Sequence, residues 1–527
     1  MSDLKQLESL LESNKISRRD FITRVSALGL TAAASPFLLS GLGHAATPQK
    51  GGRLKMGLLG GSTTDSLDPA ALTDTVQLNI NWQTRNALVE VDANGQPVPE
   101  LAESWEATPD AAQWTFNLRR GVEFHNGKTM DAEDVLFSLN HHRGEKSKSG
   151  GKTLLKQIKE IKKTDKNTVV ITLDGGNADF PFILSDYHFP IIPNGTTDFE
   201  DGMGTGGYII SKNKPGVRII SKKNPNYWKS GRAHFDEIET LCISDANARS
   251  TALATGKVDV INRCDLKTVH LLKKSPKIQI IRTTGTMHYT FAMMTDVAPF
   301  NNTDFRLALK YAIDREEMVK KVLSGYGAIG NDHPITPSMQ FFDKSQPQRS
   351  YDIDKAKFHL EKSGLKNESV KLHVAEAAFN GAVDAGILYK EQAKKAGITL
   401  DVVREPDDGY WKAVWMKKPF CAVYWSGRPT VDWMYSLTYE STTKWNDTHW
   451  KNDRFDTLLL EARSELDTAK RAAKYAEMQR LVSDDCGQII PMFADHVMGA
   501  SKKIAFDKVS GVRELDDARN AERWWFS

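Results

Sequence analysis

Residues 114–137, WTFNLRRGVEFHNGKTMDAEDVLF, change structural period within a few turns of chain. Trp114-Thr115-Phe116-Asn117-Leu118 alternates apolar and polar side chains, as a half-buried strand does. From Thr129 to His141 the spacing becomes helical, with Val135, Leu136 and Leu139 on one face and Thr129 and Asp131 as candidate N-caps. Asp131, Glu133 and Asp134 suit the first turn of that helix, where the peptide dipole favours negative charge, better than they suit an acid/base pair.

The same alternation of short strands and helices continues in both directions. Upstream, residues 51–59 read as a strand followed by the polar loop 62–69, and residues 87–91 lead into the hairpin signal Asn94-Gly95. Downstream, residues 169–173, 208–210 and 238–243 are further strands, and residues 305–323 form a helix that buries Leu307, Leu309, Ala312, Ile313 and Val319. Helices are also expected over 385–396 and 454–482, the latter broken near Asp467, and between these three helices lie strands at 370–374, 398–403 and 420–425. The class is α/β.

At 527 residues the chain exceeds one ordinary core, since domains hold roughly 100–200 residues each. An apolar fraction of 40% and a charged fraction of 26% are those of a water-soluble globular protein. Lys plus Arg number 70 against 67 Asp plus Glu, so no concentrated basic surface argues for nucleic acid. Cys242, Cys264, Cys421 and Cys486 are too few to staple a chain of this size. Their reading stays open between four separate thiols and a Cys242–Cys264 bridge.

Residues 1–45 read as an address. Ser17-Arg18-Arg19-Asp20-Phe21-Ile22 precedes a weakly apolar run over 25–42, interrupted by Pro36, and Gly43-His44-Ala45 offers small residues to a signal peptidase. A twin-arginine signal cleaved after Ala45 or Ala46 is expected. No cysteine stands near that site to accept a lipid, so a freely diffusing protein of a Gram-negative periplasm is expected.

Taken in order, several segments resemble the extracytoplasmic solute-binding protein family 5 of ABC importers, the dipeptide- and oligopeptide-binding proteins. They are residues 88–107 (LVEVDANGQPVPELAESWEA), 114–137, 204–208 (GTGGY), 224–238 (NPNYWKSGRAHFDEI), 252–260 (ALATGKVDV), 300–325 (FNNTDFRLALKYAIDREEMVKKVLSG), 351–364 and 454–493. The resemblance implies a two-lobed periplasmic-binding-protein fold (type II, cluster C) with an additional small β-rich domain inserted in the first lobe. It places lobe I at 47–80, 209–284 and 499–527, the inserted domain at 81–208 and lobe II at 285–498. It also implies a monomer without cofactor or metal that closes on a small solute and delivers it to a membrane permease. No bond is made or broken.

The segment most suited to line the cleft is 423–433, a strand running into a Gly-Pro turn with Tyr424, Trp425, Gly427, Arg428 and Asp432 close together. The resemblance implies an aspartate just after the Trp to meet a peptide's amino terminus, where this sequence has Arg428, and a basic residue near 376–380, where it has alanines beside Phe379. Arg428 therefore points to a solute with an anionic group, because its planar guanidinium suits carboxylate or phosphate. Asp432 would hold an amine or hydroxyl; alternatively Arg428 and Asp432 pair and brace the loop. Thr63, Thr64 and Asp65 offer hydroxyls and a carboxylate after the first strand, Tyr410 and Trp411 offer stacking rings, and His288 and Tyr289 stand at the expected lobe crossing.

Other motifs fail on context. Gly202-Met203-Gly204-Thr205-Gly206-Gly207 has dinucleotide spacing but precedes a strand instead of following one. His141 and His142 are adjacent, which is poor geometry for one metal. A secreted hydrolase would need a nucleophile and base that the sequence does not assemble. A metal-complex or haem receptor is the alternative within binding proteins.

Overall fold

A computed structural model describes residues 48–365, 368–407 and 410–527. The twin-arginine motif and its cleavage site lie outside the described residues. One 11-stranded sheet dominates. From one edge its strands are Thr399–Arg404, Ser369–Val374, Phe420–Trp425, Ile278–Met293, Gln488–Ser501, Val260–Ile261, Arg53–Leu58, Glu237–Cys242, Arg218–Lys223 and Tyr208–Lys214, with Gly327–Ile329 added beside Gln488–Ser501. Helices cover it, as expected of the α/β class.

Two strands at its centre differ from the rest. Ile278–Met293 runs for 16 residues and Gln488–Ser501 for 14, antiparallel to each other. At one end they pair as Ile278–Ser501 to Thr284–Asp495, beside a core that contains Leu54, Met56, Ile238, Met498 and Trp524. At the other they pair as His288–Phe493 to Ala292–Gln488, inside a larger core with Phe291, Leu309, Leu372, Phe420, Tyr435 and Met478. Between these stretches Gly285, Thr286 and Met287 stand opposite Ala494 alone, a bulge that interrupts the ladder where the chain passes from one core to the next. A second register shift, between Tyr289 and Phe291, falls opposite Pro491, which has no N–H to give.

A third core fills a separate antiparallel sheet of Ala102–Ala107, Gln113–Leu118, Thr168–Leu173 and Ile158–Asp165. In Gln113–Leu118 the side chains Trp114, Phe116 and Leu118 are buried in alternation. Asp131 is the N-cap of helix Ala132–His141, accepting from the Glu133 amide at 3.0 Å, while Asp134 accepts from the Asp131 amide at 2.9 Å. The Asn94-Gly95 hairpin forms between Val89–Val91 and Pro97–Pro99.

Asp467 breaks the last long helical stretch into Asp453–Ser464 and Thr468–Asp485, accepting from the Ala469 and Lys470 amides. The helix expected over 305–323 is instead two, Thr303–Tyr311 and Arg315–Val322. Asp314 caps the second by accepting from the Glu317 amide at 2.9 Å, and a cap of this kind is worth about 1 kcal/mol. Helix Thr75–Thr84 has no amphipathic stripe to announce it, because nearly all its residues are buried, polar ones included.

All four cysteines are free. Cys242 ends a strand on one side of Arg53–Leu58 and Cys264 follows the strand on its other side. Two strand spacings, about 10 Å, separate the positions, beyond disulfide reach. Among the described residues no helix is long and apolar enough to cross a membrane.

Candidate functional site

The bulge at the crossover is where loops from both sides meet. A Cβ on Gly427 would lie 2.0 Å from the Thr286 side chain and one on Gly511 would lie 2.5 Å from the Thr284 carbonyl oxygen. Only a bare backbone lets the 423–433 segment and the C-terminal segment approach the same strand so closely. Gly285 does the same for the strand pair, its would-be Cβ 2.8 Å from His496 Nε2.

Arg428 stands on this floor, half-buried. Its Nη1 donates to the Ser426 carbonyl at 2.6 Å and the Gly427 carbonyl at 3.2 Å, and its guanidinium lies 6.0 Å from the Trp433 ring. No carboxylate among the described residues is within ion-pair distance of it. The suggested Arg428–Asp432 brace is not formed. Asp432 lies in the first turn of helix Val431–Thr438, capped by Thr430, and that turn aims its carboxylate at Arg463 Nε, 3.1 Å away, and Ser436. Burial raises the Asp432 pKa, against the lowering effect of Arg463.

The strand before this loop carries an aromatic row. Trp411 meets Tyr424 at 5.4 Å and Trp415 at 5.9 Å, and Trp425 meets Trp415 and Trp445 at 6.0 Å each. Trp411, Tyr424 and Trp445 are exposed by 39%, 39% and 45%, unusual for rings of this size. Beneath them Asp447 accepts from Trp415 Nε1 at 3.1 Å, Trp425 Nε1 at 3.2 Å and Gln488 Nε2 at 2.6 Å. Burial pushes its carboxyl up to about 6, against the effect of the indole donors.

Other expected residues take different places. Tyr410 is 1% exposed, and its hydroxyl donates toward the carbonyls of His373 and Ala422, so its ring is core and has no free face to stack on a solute. Phe379 is also buried, stacked on Tyr289 at 4.3 Å. His288 is fully buried, with Nδ1 3.1 Å from the Thr286 carbonyl, its ring beside Phe493 and, among the described residues, no partner for Nε2. Burial lowers its pKa to about 4, which keeps the imidazole neutral. Thr63 and Asp65 belong to another neighbourhood, a turn in which Asp65 accepts from the Ser62 amide and which rests against Gly216.

The sequence reading missed the C-terminal contribution. Arg513 Nη1 donates to Asp517 at 2.9 Å, its Nη2 stands 3.9 Å from Asp186, and its guanidinium lies 5.0 Å from the Tyr187 ring. Asp186 is itself bonded to His188 Nδ1 at 2.6 Å. Arg263 pairs with Glu514 at 3.0 Å. Leu515, Asp516, Asp517 and Ala518 all have φ between 56° and 60°, a left-handed turn unusual for residues with a Cβ. Asp516 holds it by accepting from the Ser510 amide, Arg523 and Trp524. No apolar periodicity marks such a segment.

Among the described residues one carboxylate triad, Glu90, Glu100 and Glu522, is close enough to share a cation. Lys229 Nζ fills its centre at 2.7, 2.6 and 2.9 Å, so the fold supplies its own cation there.

Residues 96–447 match the profile of the bacterial extracellular solute-binding proteins, family 5 Middle. Heme-binding protein A of Haemophilus influenzae is 28% identical over 453 residues, 79% of this chain and 82% of that protein. Glutathione-binding protein GsiB of Pectobacterium atrosepticum is 25% identical over 467 residues, 84% and 89% of the two chains. The solved structure of HbpA2 from Haemophilus parasuis has a TM-score of 0.79 at 22% identity, covering 87% of this chain and 97% of that one.

Proposed function

The chain belongs to the bacterial extracellular solute-binding proteins, family 5, and from that membership we propose that it is the periplasmic substrate-binding component of an ABC importer for a peptide or peptide-like solute with an anionic group. Proteins of this family bind solutes for transport and are not enzymes. The observation that carries the reading is the crossover: two long strands join two cores, and Gly427 packs on the bulge between them beside Arg428, a half-buried cation with no carboxylate at ion-pair distance among the described residues. Closure would bring the two cores together about that bulge.

In this reading lobe I comprises 47–80, 209–284 and 499–527, the inserted domain 81–208, and lobe II 285–498. Residues 17–22 direct export by the twin-arginine route, cleavage falls near Ala45, and the mature protein works as a free monomer. Arg428 receives the anionic group; Tyr424, Trp411 and the backbone at Gly427 complete the wall. A second reading, a haem or metal-complex receptor, draws on the haem-binding relative and on the exposed rings of Trp411, Tyr424 and Trp445.

Native mass spectrometry of protein purified from periplasm without refolding tests both. An organic solute released unchanged supports the main reading, and a bound species with a Soret band or stoichiometric metal supports the second. A guest that emerges chemically altered would overturn both.

A further inference from the structure

We propose that His288 sets the specificity of the site by accepting, at Nε2, a hydrogen bond from an N–H or O–H of the solute, next to the anionic group that Arg428 receives. The proposal deepens the receptor reading and rests on it. It narrows the solute to an acid with a donor hydrogen close to its charge, as in an amino or hydroxy acid.

The bonds of this imidazole fix what it can do. Nδ1 lies 3.1 Å from the Thr286 carbonyl oxygen, which can only accept, so Nδ1 carries the hydrogen. Burial keeps the ring neutral, and Nε2 is left with a lone pair. His288 is 0% exposed, yet among the described residues Nε2 has no partner. A buried acceptor in that state destabilises the fold until a donor reaches it, and buried polar atoms without a partner are rare.

Its neighbours do not supply the donor. In the antiparallel ladder His288 stands opposite Trp425 on one side and Phe493 on the other, and residues paired in this way project from the same face. The imidazole is the middle of that cross-strand row, with the Phe493 ring 5.6 Å away. Trp425 Nε1 is committed to Asp447 at 3.2 Å. Thr290, the next side chain on this face, donates its hydroxyl to Gln488, and Gln488 Nε2 donates to Asp447 at 2.6 Å.

In the other direction the strand runs into the bulge. There a Cβ on Gly427 would lie 2.0 Å from the Thr286 side chain and 2.4 Å from the same carbonyl oxygen that orients His288. The Thr286 carbonyl thus touches both the imidazole and the residue before Arg428. A lone pair and a cation so placed suit a solute that offers an anionic oxygen and a donor hydrogen side by side.

The test uses the mature protein, freed of bound solute, and its His288→Phe, His288→Asn and His288→Gln variants. Phe keeps a ring without an acceptor; Asn places an amide where Nδ1 stands, and Gln places one where Nε2 stands. In calorimetric titrations with the solute that co-purifies with wild type, Phe and Asn should weaken binding by about tenfold or more and Gln should restore most of it, since a site built to bond a donor depends on that bond. The unliganded melting temperature of the Phe variant should not fall, because an unsatisfied polar atom has been exchanged for an apolar one. In wild type labelled with heavy nitrogen at histidine, the Nε2 resonance of His288 should be that of an unprotonated nitrogen and should move upfield when the solute is added. That resonance decides even where a variant fails to fold.

If Phe and Asn bind the solute as tightly as wild type, or the Nε2 resonance stays unmoved while wild type binds, the acceptor role is wrong and the receptor reading stands. A bound solute without any N–H or O–H would also overturn it. If wild type binds no solute at all, the receptor reading itself fails.

Discussion

Arg471, on helix Thr468–Asp485, reaches Asp179 across the gap between the large core and the separate four-stranded unit, Nη1 to Oδ1 at 2.7 Å, with side-chain exposures of only 6% and 5%. The Ala178 amide donates to the Arg463 carbonyl at 2.7 Å beside it. Arg463 in turn holds Asp432, so the helix after the Arg428 loop is tied to this second contact between the two sides.

In the proposed receptor reading the contact joins the second lobe to the inserted domain, so parting of the lobes would break it. Arg471→Met would leave Asp179 buried without its cation, a change that costs about 3–5 kcal/mol where the pair stays closed. We expect solute affinity to fall at least tenfold while the unliganded melting temperature barely moves, the outcome if the proposed open form lacks the pair. Calorimetric titration with the co-purified solute and a thermal melt check this. A lower melting temperature with unchanged affinity would mean that the contact persists when the lobes part.

Asp447 predicts a pH dependence. Its carboxyl has an ordinary value of 3.8 and is pushed to about 6 by burial. Between those values the folded protein binds the proton that the unfolded chain has released, so stability falls as pH rises through about 4 to 6. One pKa unit corresponds to about 1.4 kcal/mol, so the loss is on the order of 3 kcal/mol, complete above the folded value. Urea midpoints from pH 4 to 7 should show this slope in wild type and a flatter profile in Asp447→Asn. Equal slopes would place the titration elsewhere.

Much of the fold was legible because its strands and caps are local signals. Residues 113–118, the Asn94-Gly95 hairpin and the break at Asp467 each declare themselves in a few residues. Helix Thr75–Thr84 did not, since it is buried on all sides and lacks a stripe. The site was half legible. Gly427 and Arg428 stand in a short segment with an unusual composition, whereas Arg513 and Asp447 acquire meaning only from partners far away in sequence. Tyr410 misled for the opposite reason: an aromatic next to an exposed Trp411 looks the same in sequence whether it faces a cleft or a core.

Gly427 should be intolerant of any side chain. An added Cβ would sit 2.0 Å from Thr286 Cβ and 2.4 Å from its carbonyl oxygen. Gly427→Ala must therefore shift the loop, at about 1–3 kcal/mol, and displace Arg428. We expect a loss of solute binding with only a modest drop in melting temperature. Thr286→Gly should not restore binding, since the backbone oxygen remains; full rescue would show that the side chain alone sets the loop.

Lys229 holds Glu90, Glu100 and Glu522 together, and Arg519 and Arg523 complete the network by pairing with Glu100 and Glu90. Burial alone would raise the carboxyl pKa values, yet Lys229 and the arginines hold Glu90 well below the usual range. Lys229→Met removes the central cation while the acids stay dry, so a loss of about 3–5 kcal/mol is expected. Below pH 4 the carboxylates of the unfolded chain also protonate, and the wild-type advantage should shrink as pH falls through the folded Glu90 value. Paired denaturant curves at pH 7 and pH 3 measure it. A deficit equal at both values would mean that Lys229 stabilises through packing of its stem and not through its charge.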